Sequence, residues 1–346
     1  MLAACPKQME HGPCGGVALD GTCEVALDPC VFLGRPTVRW DGGPTPGSDG
    51  DPVPQHPPSS GVRTMRALLA TRQVVVADLA ARPLDAASIE KSVEVLRGHV
   101  DAVLTGDSPR NRVQFPPAYR AMLVQRAGMP TWAALTSRDR NRVALEAELA
   151  ALAHVGVAGV HCVTGDHPST GSRPDAAPVF DLDSTRVAAL AAAAGHLVSV
   201  AEAPASPPVE RRAERLLEKQ RAGAEICFVN HAGGVEPVRR FIAQAQDLGV
   251  TTGFIPCVPV VIDLESAALL RSFTSLVLPS GFLDRVLGAA EPAREGVAAA
   301  TELAIGLLAL DGVVGVDLSG GSGPGSEVRY CEAFAEIGRA LVPSLR

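Results

Sequence analysis

The chain has 346 residues, is 47% hydrophobic and 20% charged, and carries a formal net charge of −7. That length can bury one domain of roughly 250 residues with extensions. The acidic balance argues against a nucleic-acid partner, which normally meets a basic stripe, and no run approaches the ~18 uninterrupted apolar residues of a membrane span.

In chain order, residues 1–34 come first and contain little apolar material but four cysteines, Cys5, Cys14, Cys23 and Cys30. So small a segment needs a cross-link or a metal to fold. No charged stretch followed by a long apolar one opens the chain, so no signal peptide is expected and the location implied is cytoplasmic. In that reducing compartment disulfides are disfavoured. The segment is therefore expected to be a metal-binding module. Four thiolates suit either Zn²⁺ or a [4Fe–4S] cluster, and their spacing does not choose between them. Residues 35–64 are rich in Gly, Pro, Ser and Asp and read as a disordered linker.

Over residues 65–346, Val- and Leu-rich runs alternate with Ala-, Arg- and Glu-rich helical stretches. Strands are predicted at 73–78, 100–105, 130–136, 158–163, 196–201, 225–229, 251–256 and 312–317, separated by helices. Eight such units predict an α/β fold, a (β/α)8 TIM barrel behind the cysteine module. An open doubly wound sheet would want a Gly-rich fingerprint after its first strand, and none occurs there. The glycines at 320, 321, 323 and 325 follow the eighth strand instead, where barrels often bind phosphate on backbone N–H groups.

Barrel chemistry sits at the carboxyl ends of the strands. Those ends present Asp78, Thr105, Thr136, Asp166 with His167, Glu202, Asn230 and Asp317. The set holds carboxyl and amide groups without a nucleophile elbow or a Walker loop, which suits proton handling and cofactor positioning.

Several local stretches resemble the methylenetetrahydrofolate reductase family. Leu135-Thr-Ser-Arg-Asp139 is similar to the family's Leu-Thr-Cys-x-Asp, and Val163-Thr-Gly-Asp-His-Pro168 to its Leu-Arg-Gly-Asp-x-Pro. Ser199-Val-Ala-Glu-Ala-Pro204, Lys219-Gln-Arg-Ala-Gly-Ala224 and Phe254-Ile-Pro-Cys-Val-Pro259 match three further stretches in the same order. The Cys-Pro-Lys and Gly-Pro-Cys-Gly-Gly leader resembles the cysteine domain joined to, or partnering, such reductases in some bacteria. The resemblance implies reduction of 5,10-methylene-tetrahydrofolate to the 5-methyl form by hydride from NAD(P)H through FAD.

It also implies roles. Asp78 falls on the acid that protonates the folate, and Asp166 on the carboxylate at the flavin pyrimidine edge. Thr105, Thr136, Thr164, His167 and Lys219 join Asp166 as cofactor-binding positions, and Asn230 and Glu202 are placed with the substrate. Thr164, Ala134 and Ala203 stand where the family has Arg, His and Tyr. These departures open a second expectation, a flavin-independent reductase of the same substrate. A third is an accessory subunit carrying the metal or Fe–S centre. A folate small molecule is the expected ligand, and a homo-oligomer or a partner reductase subunit the expected assembly.

Overall fold

The structure, a computed structural model, describes residues 5–26, 28–42, 57–106 and 111–345. The expected disorder of the linker falls largely on residues 43–56, outside the described residues. Eight parallel strands close into a barrel in sequence order. They are β1 (Val74–Asp78), β2 (Ala102–Thr105), β3 (Thr131–Thr136), β4 (Gly159–Val163), β5 (Val198–Glu202), β6 (Ile226–Val229), β7 (Gly253–Pro259) and β8 (Gly315–Ser319). Closure is made where Val74 and Val76 of β1 pair with Gly315 and Asp317 of β8. All eight strands lie within about three residues of the predicted runs, because short apolar segments between turn residues have few other ways to bury both faces.

The helices are α1 (Ser60–Leu69), α2 (Ala86–Leu96), α3 (Pro117–Arg126), α4 (Arg142–Val155), α5 (Ser184–Ala193), α6 (Arg212–Arg221), α7 (Val235–Asp247), α8 (Leu264–Arg271), α9 (Phe282–Leu287), α10 (Pro292–Leu308) and α11 (Glu327–Leu341). Side-chain caps start several of them: Asp85, Asn141, Asp183 and Asp263 each accept a backbone N–H of the first turn. Such caps satisfy donors that the helix itself leaves orphaned. No described helix is long and apolar enough to cross a membrane.

Helix α1 corrects the expected boundary, since it begins inside the segment assigned to the linker. Ser59 caps it, and Val62 and Met65 are buried with Trp132, Leu197 and Phe228 in the cluster that fills the barrel interior. The helix therefore plugs the end opposite the catalytic face. At Gly61 a Cβ would run into the carbonyl of Gly156, so a side chain there would push the plug out. Its first residues share the Ser, Gly and Arg texture of the linker, while Leu68 and Leu69 pack against the same cluster as Val62 and Met65.

The leader is not a separate body. Antiparallel bridges Val17–Cys23 and Thr22–Pro29 give it a minimal frame, and it lies across the carboxyl ends of the strands. Arg212 of α6 donates to the carbonyl of Cys14 at 3.0 Å. Ser206 donates to Val17 O at 2.9 Å and Ser275 to Gly15 O at 2.7 Å. Further along, Trp40 N donates to Glu218 at 2.5 Å, which ties the segment leaving the leader to α6.

Candidate active site

A cavity of about 650 Å³ opens at the carboxyl ends of the strands, with both the barrel and the leader as walls. Lys7, Met9, Cys14 and Glu24 face it from the leader; Asp78, Thr136, Thr164, Asp166, Glu202, Lys219, Asn230 and Asp317 face it from the barrel. Seven positions singled out from sequence thus converge on one space, and Asp317 joins them there. Thr105 and His167 do not. The Thr105 hydroxyl is buried beside the wall and points to Trp132 O at 3.5 Å. The His167 ring turns to Ser169 at 2.7 Å and lies over Phe180.

The floor is built from aromatic and neutral polar groups. Trp132 donates to Ser199 Oγ at 2.8 Å, and the His161 imidazole shares that hydroxyl at 3.0 Å. Burial, helped by the Lys219 charge, pulls His161 down to about 3, so it is neutral. On the β5 side, Lys219 donates to Glu202 and to Ala201 O, both at 2.5 Å, and Arg212 stands 3.8 Å from the same carboxylate. Glu202 is 2% exposed. Its carboxylate is thus committed to two cations. A buried charge must be paired where it stands, and the same residue lines the cavity.

On the β1–β8 side, Gly320 N donates to Asp78 Oδ2 at 3.1 Å. The Gly-rich loop therefore spends its first N–H on a carboxyl group, where sequence had suggested a phosphate. Gly320 has φ +143°, and a Cβ there would collide with the Tyr330 hydroxyl. Only glycine allows this approach. Burial pushes Asp78 up to about 6 against the lowering effect of that hydrogen bond.

At the rim Asp166 is 55% exposed, with Arg112 3.4 Å away. Arg112 also donates to Thr170 at 3.0 Å. It arrives from the loop after β2, so a guanidinium reaches the β4 end although position 164 is Thr. Sequence reasoning had no signal for it, because the contact spans 54 residues.

More than half of the chain, residues 104–316, matches the model of the methylenetetrahydrofolate reductase family. The chain belongs to the methylenetetrahydrofolate reductase family. A second model, described as the methylene-tetrahydrofolate reductase C terminal, matches residues 1–35, so a reductase-associated segment stands ahead of the reductase barrel. No curated protein matches the sequence. Among solved structures, an uncharacterized protein from Clostridium thermocellum that binds two copies of 5-methyl-5,6,7,8-tetrahydrofolic acid superposes with a TM-score of 0.59 at 10% identity, covering 79% of this chain and 98% of that one. At that identity the likeness is one of fold. A crystal form of 2,3-dimethylmalate lyase follows at a TM-score of 0.46 and 15% identity, over 75% of this chain and 78% of that one.

The flavin expected from the family fits this site poorly. The Thr164 hydroxyl accepts Ser184 N at 3.1 Å and donates to Met9 Sδ at 3.5 Å. Lys219 is neutralised by Glu202. Ala134 and Ala203 line the cavity without a polar group. Thr164 and Lys219 are thus occupied by the protein itself.

Burial raises Cys5 and Cys30, and each is raised further by the charges of Cys14 and Cys23. Among the described residues, however, no group of three or more His, Cys, Asp and Glu side chains is arranged to hold a metal ion. No step below runs through one.

Proposed function

We propose that the protein reduces 5,10-methylene-tetrahydrofolate to 5-methyl-tetrahydrofolate with hydride that originates on NAD(P)H. The observation that carries this reading is the convergence of Asp78, Asn230 and Asp166 on one cavity in a barrel of this family. Asp78, raised to about 6 by burial, is the proton donor. It protonates the folate nitrogen whose bond to the methylene carbon breaks, and the resulting iminium accepts hydride at that carbon. The Asn230 amide holds the pterin ring, and the walls exclude water that would hydrolyse the iminium. General acid assistance of this kind contributes about 10²–10⁴-fold.

Two routes could deliver the hydride, through FAD or directly from the nicotinamide. The internal commitments of Thr164 and Lys219 favour the direct route. One anaerobic preparation tests both parts. Oxidation of NAD(P)H dependent on methylene-tetrahydrofolate is expected from protein that is colourless in the visible. A stoichiometric yellow flavin spectrum sinks the direct route, and absence of turnover sinks the reductase reading in favour of an accessory subunit.

The leader is proposed to bind a metal through Cys5, Cys14, Cys23 and Cys30, supported by the four-thiol donor set. Such an ion would supply folding energy to a segment with little core of its own.

A further inference from the structure

The cavity wall at β1, β7 and β8 holds two carboxyl groups where the reductase reading uses one. Asp317 pairs in register with Val76 of β1, and Val76 lies in the cluster filling the barrel interior. Asp78, two residues on, shares that inward face. The two carboxyls therefore stand one pleat apart on adjacent strands, and both line the cavity. Asp317 is 1% exposed. Its Oδ2 accepts the Cys257 thiol at 3.6 Å, while its Oδ1 is buried without a hydrogen-bond partner.

The other titratable groups facing the pair bring no positive charge at neutral pH. Cys257 on β7 is raised first by burial and then by the charges of Asp317 and Asp78, and Tyr330 on α11 first by burial and then by the charge of Asp78. His231, beyond β6, is lowered to about 4 by burial. Two carboxylates in such a place cannot both ionise without strong repulsion and an unsatisfied desolvation penalty. A single proton held by the pair removes both penalties.

We propose that Asp317 is a positioning residue for the acid step, sharing one proton with Asp78 so that the pair still holds a donor at neutral pH. The inference rests on the reductase reading above. In the step, the proton passes from Asp78 to the folate nitrogen, and the electrons of the breaking C–N bond stay on that nitrogen. The methylene carbon is reduced to methyl by hydride, and NAD(P)H is oxidised to NAD(P)⁺. The pair, left doubly anionic, regains one proton from water before the next turnover. Burial and the Asp78 charge together hold Asp317 well above an ordinary carboxyl, consistent with the pair holding one proton between turnovers.

The test compares full-length Asp317→Asn and Asp78→Asn proteins by two measurements. The first is the pH dependence of kcat/KM for hydride transfer from NAD(P)H to methylene-tetrahydrofolate. Asp317→Asn is expected to move the alkaline fall about one pH unit or more toward acid, while activity on the acid side stays within ~3-fold of wild type. A merely structural role would lower the whole profile without moving it. The second is infrared difference spectroscopy of the folate-free protein at about pH 8, where a protonated-carboxyl band is expected in wild type and lost in Asp317→Asn. Asp317→Glu should restore both. If Asp317→Asn does not fold, Asp317→Ser takes its place with the same two expected results. An unmoved alkaline limb and a retained band in Asp317→Asn overturn the proton sharing, while loss of activity in Asp78→Asn leaves the reductase reading standing. Full activity in Asp78→Asn sinks that reading, whatever Asp317 does.

Discussion

Asp78, the proposed proton donor, illustrates how burying a carboxyl group makes stability depend on pH. Its folded-state pKa of about 6 lies above the ordinary carboxyl value, so the folded state binds the proton more tightly than the unfolded chain. Its favourable contribution is complete below about pH 4 and is lost as the pH rises through 6. Asp78→Asn should therefore cut kcat at least ~100-fold yet unfold less readily above neutral pH, by roughly 1–3 kcal/mol. Urea melts at two pH values check the sign. Lys219 presents the opposite case. Its removal leaves Glu202 buried with only Arg212 at 3.8 Å, so Lys219→Met should cost about 3 kcal/mol. The double variant Lys219→Met with Glu202→Gln should recover part of that loss. Equal melts for the single and double variants would show that the pair is not what Lys219 supports.

Two elements do work that their sequences disguise. The start of helix α1 reads as linker because Ser60, Gly61 and Arg63 continue its composition, yet Met65 is 3% exposed inside the barrel's lower end. Met65→Ala should destabilise by about 2–4 kcal/mol through the cavity it leaves, with kcat/KM unchanged at temperatures where the protein is folded. Helix α6 is the anchor of the leader. Arg212 of α6 is 1% exposed and donates to Cys14 O, Ser206 O and Pro207 O. Arg212→Ala should release the leader, seen as faster limited proteolysis within residues 5–42 and a rise in KM of about 10-fold. Slow proteolysis with an unchanged KM would mean that Ser206 and Ser275 suffice to hold it.

At the scale of the molecule, the active-site cavity is composite, and its leader walls have few apolar residues of their own. Among the described residues of the leader, only Met9, Val17 and Phe32 are buried hydrophobics, so its fold should depend on a bound ion. About one zinc ion, or one iron–sulfur cluster, per chain is expected on metal analysis. Under native conditions the thiols of Cys5, Cys14, Cys23 and Cys30 should resist alkylation until a chelator is added. Rapid alkylation of all four in freshly purified protein would sink the metal assignment.

The barrel was legible because its signal is local. Strands such as 74–78 and 159–163 are short apolar runs, and eight of them alternating with helices admit few architectures. The ordered motifs around Asp166 and Lys219 are local too, and they point to the family without the fold. What a side chain meets across the barrel was not legible. Glu202 and Lys219 both read as ligand-facing, yet they pair with each other across 17 residues of sequence. Asp78 meets Gly320 from 242 residues away, and Ser275 meets Gly15 from 260. Residues spaced along the chain reveal which groups reach the strand ends, because the pleat alternates regularly. Whether a group there is free for substrate, paired with a counter-charge or covered by the leader depends on burial and long-range contacts, which arise only when the barrel closes and the leader folds back over its mouth.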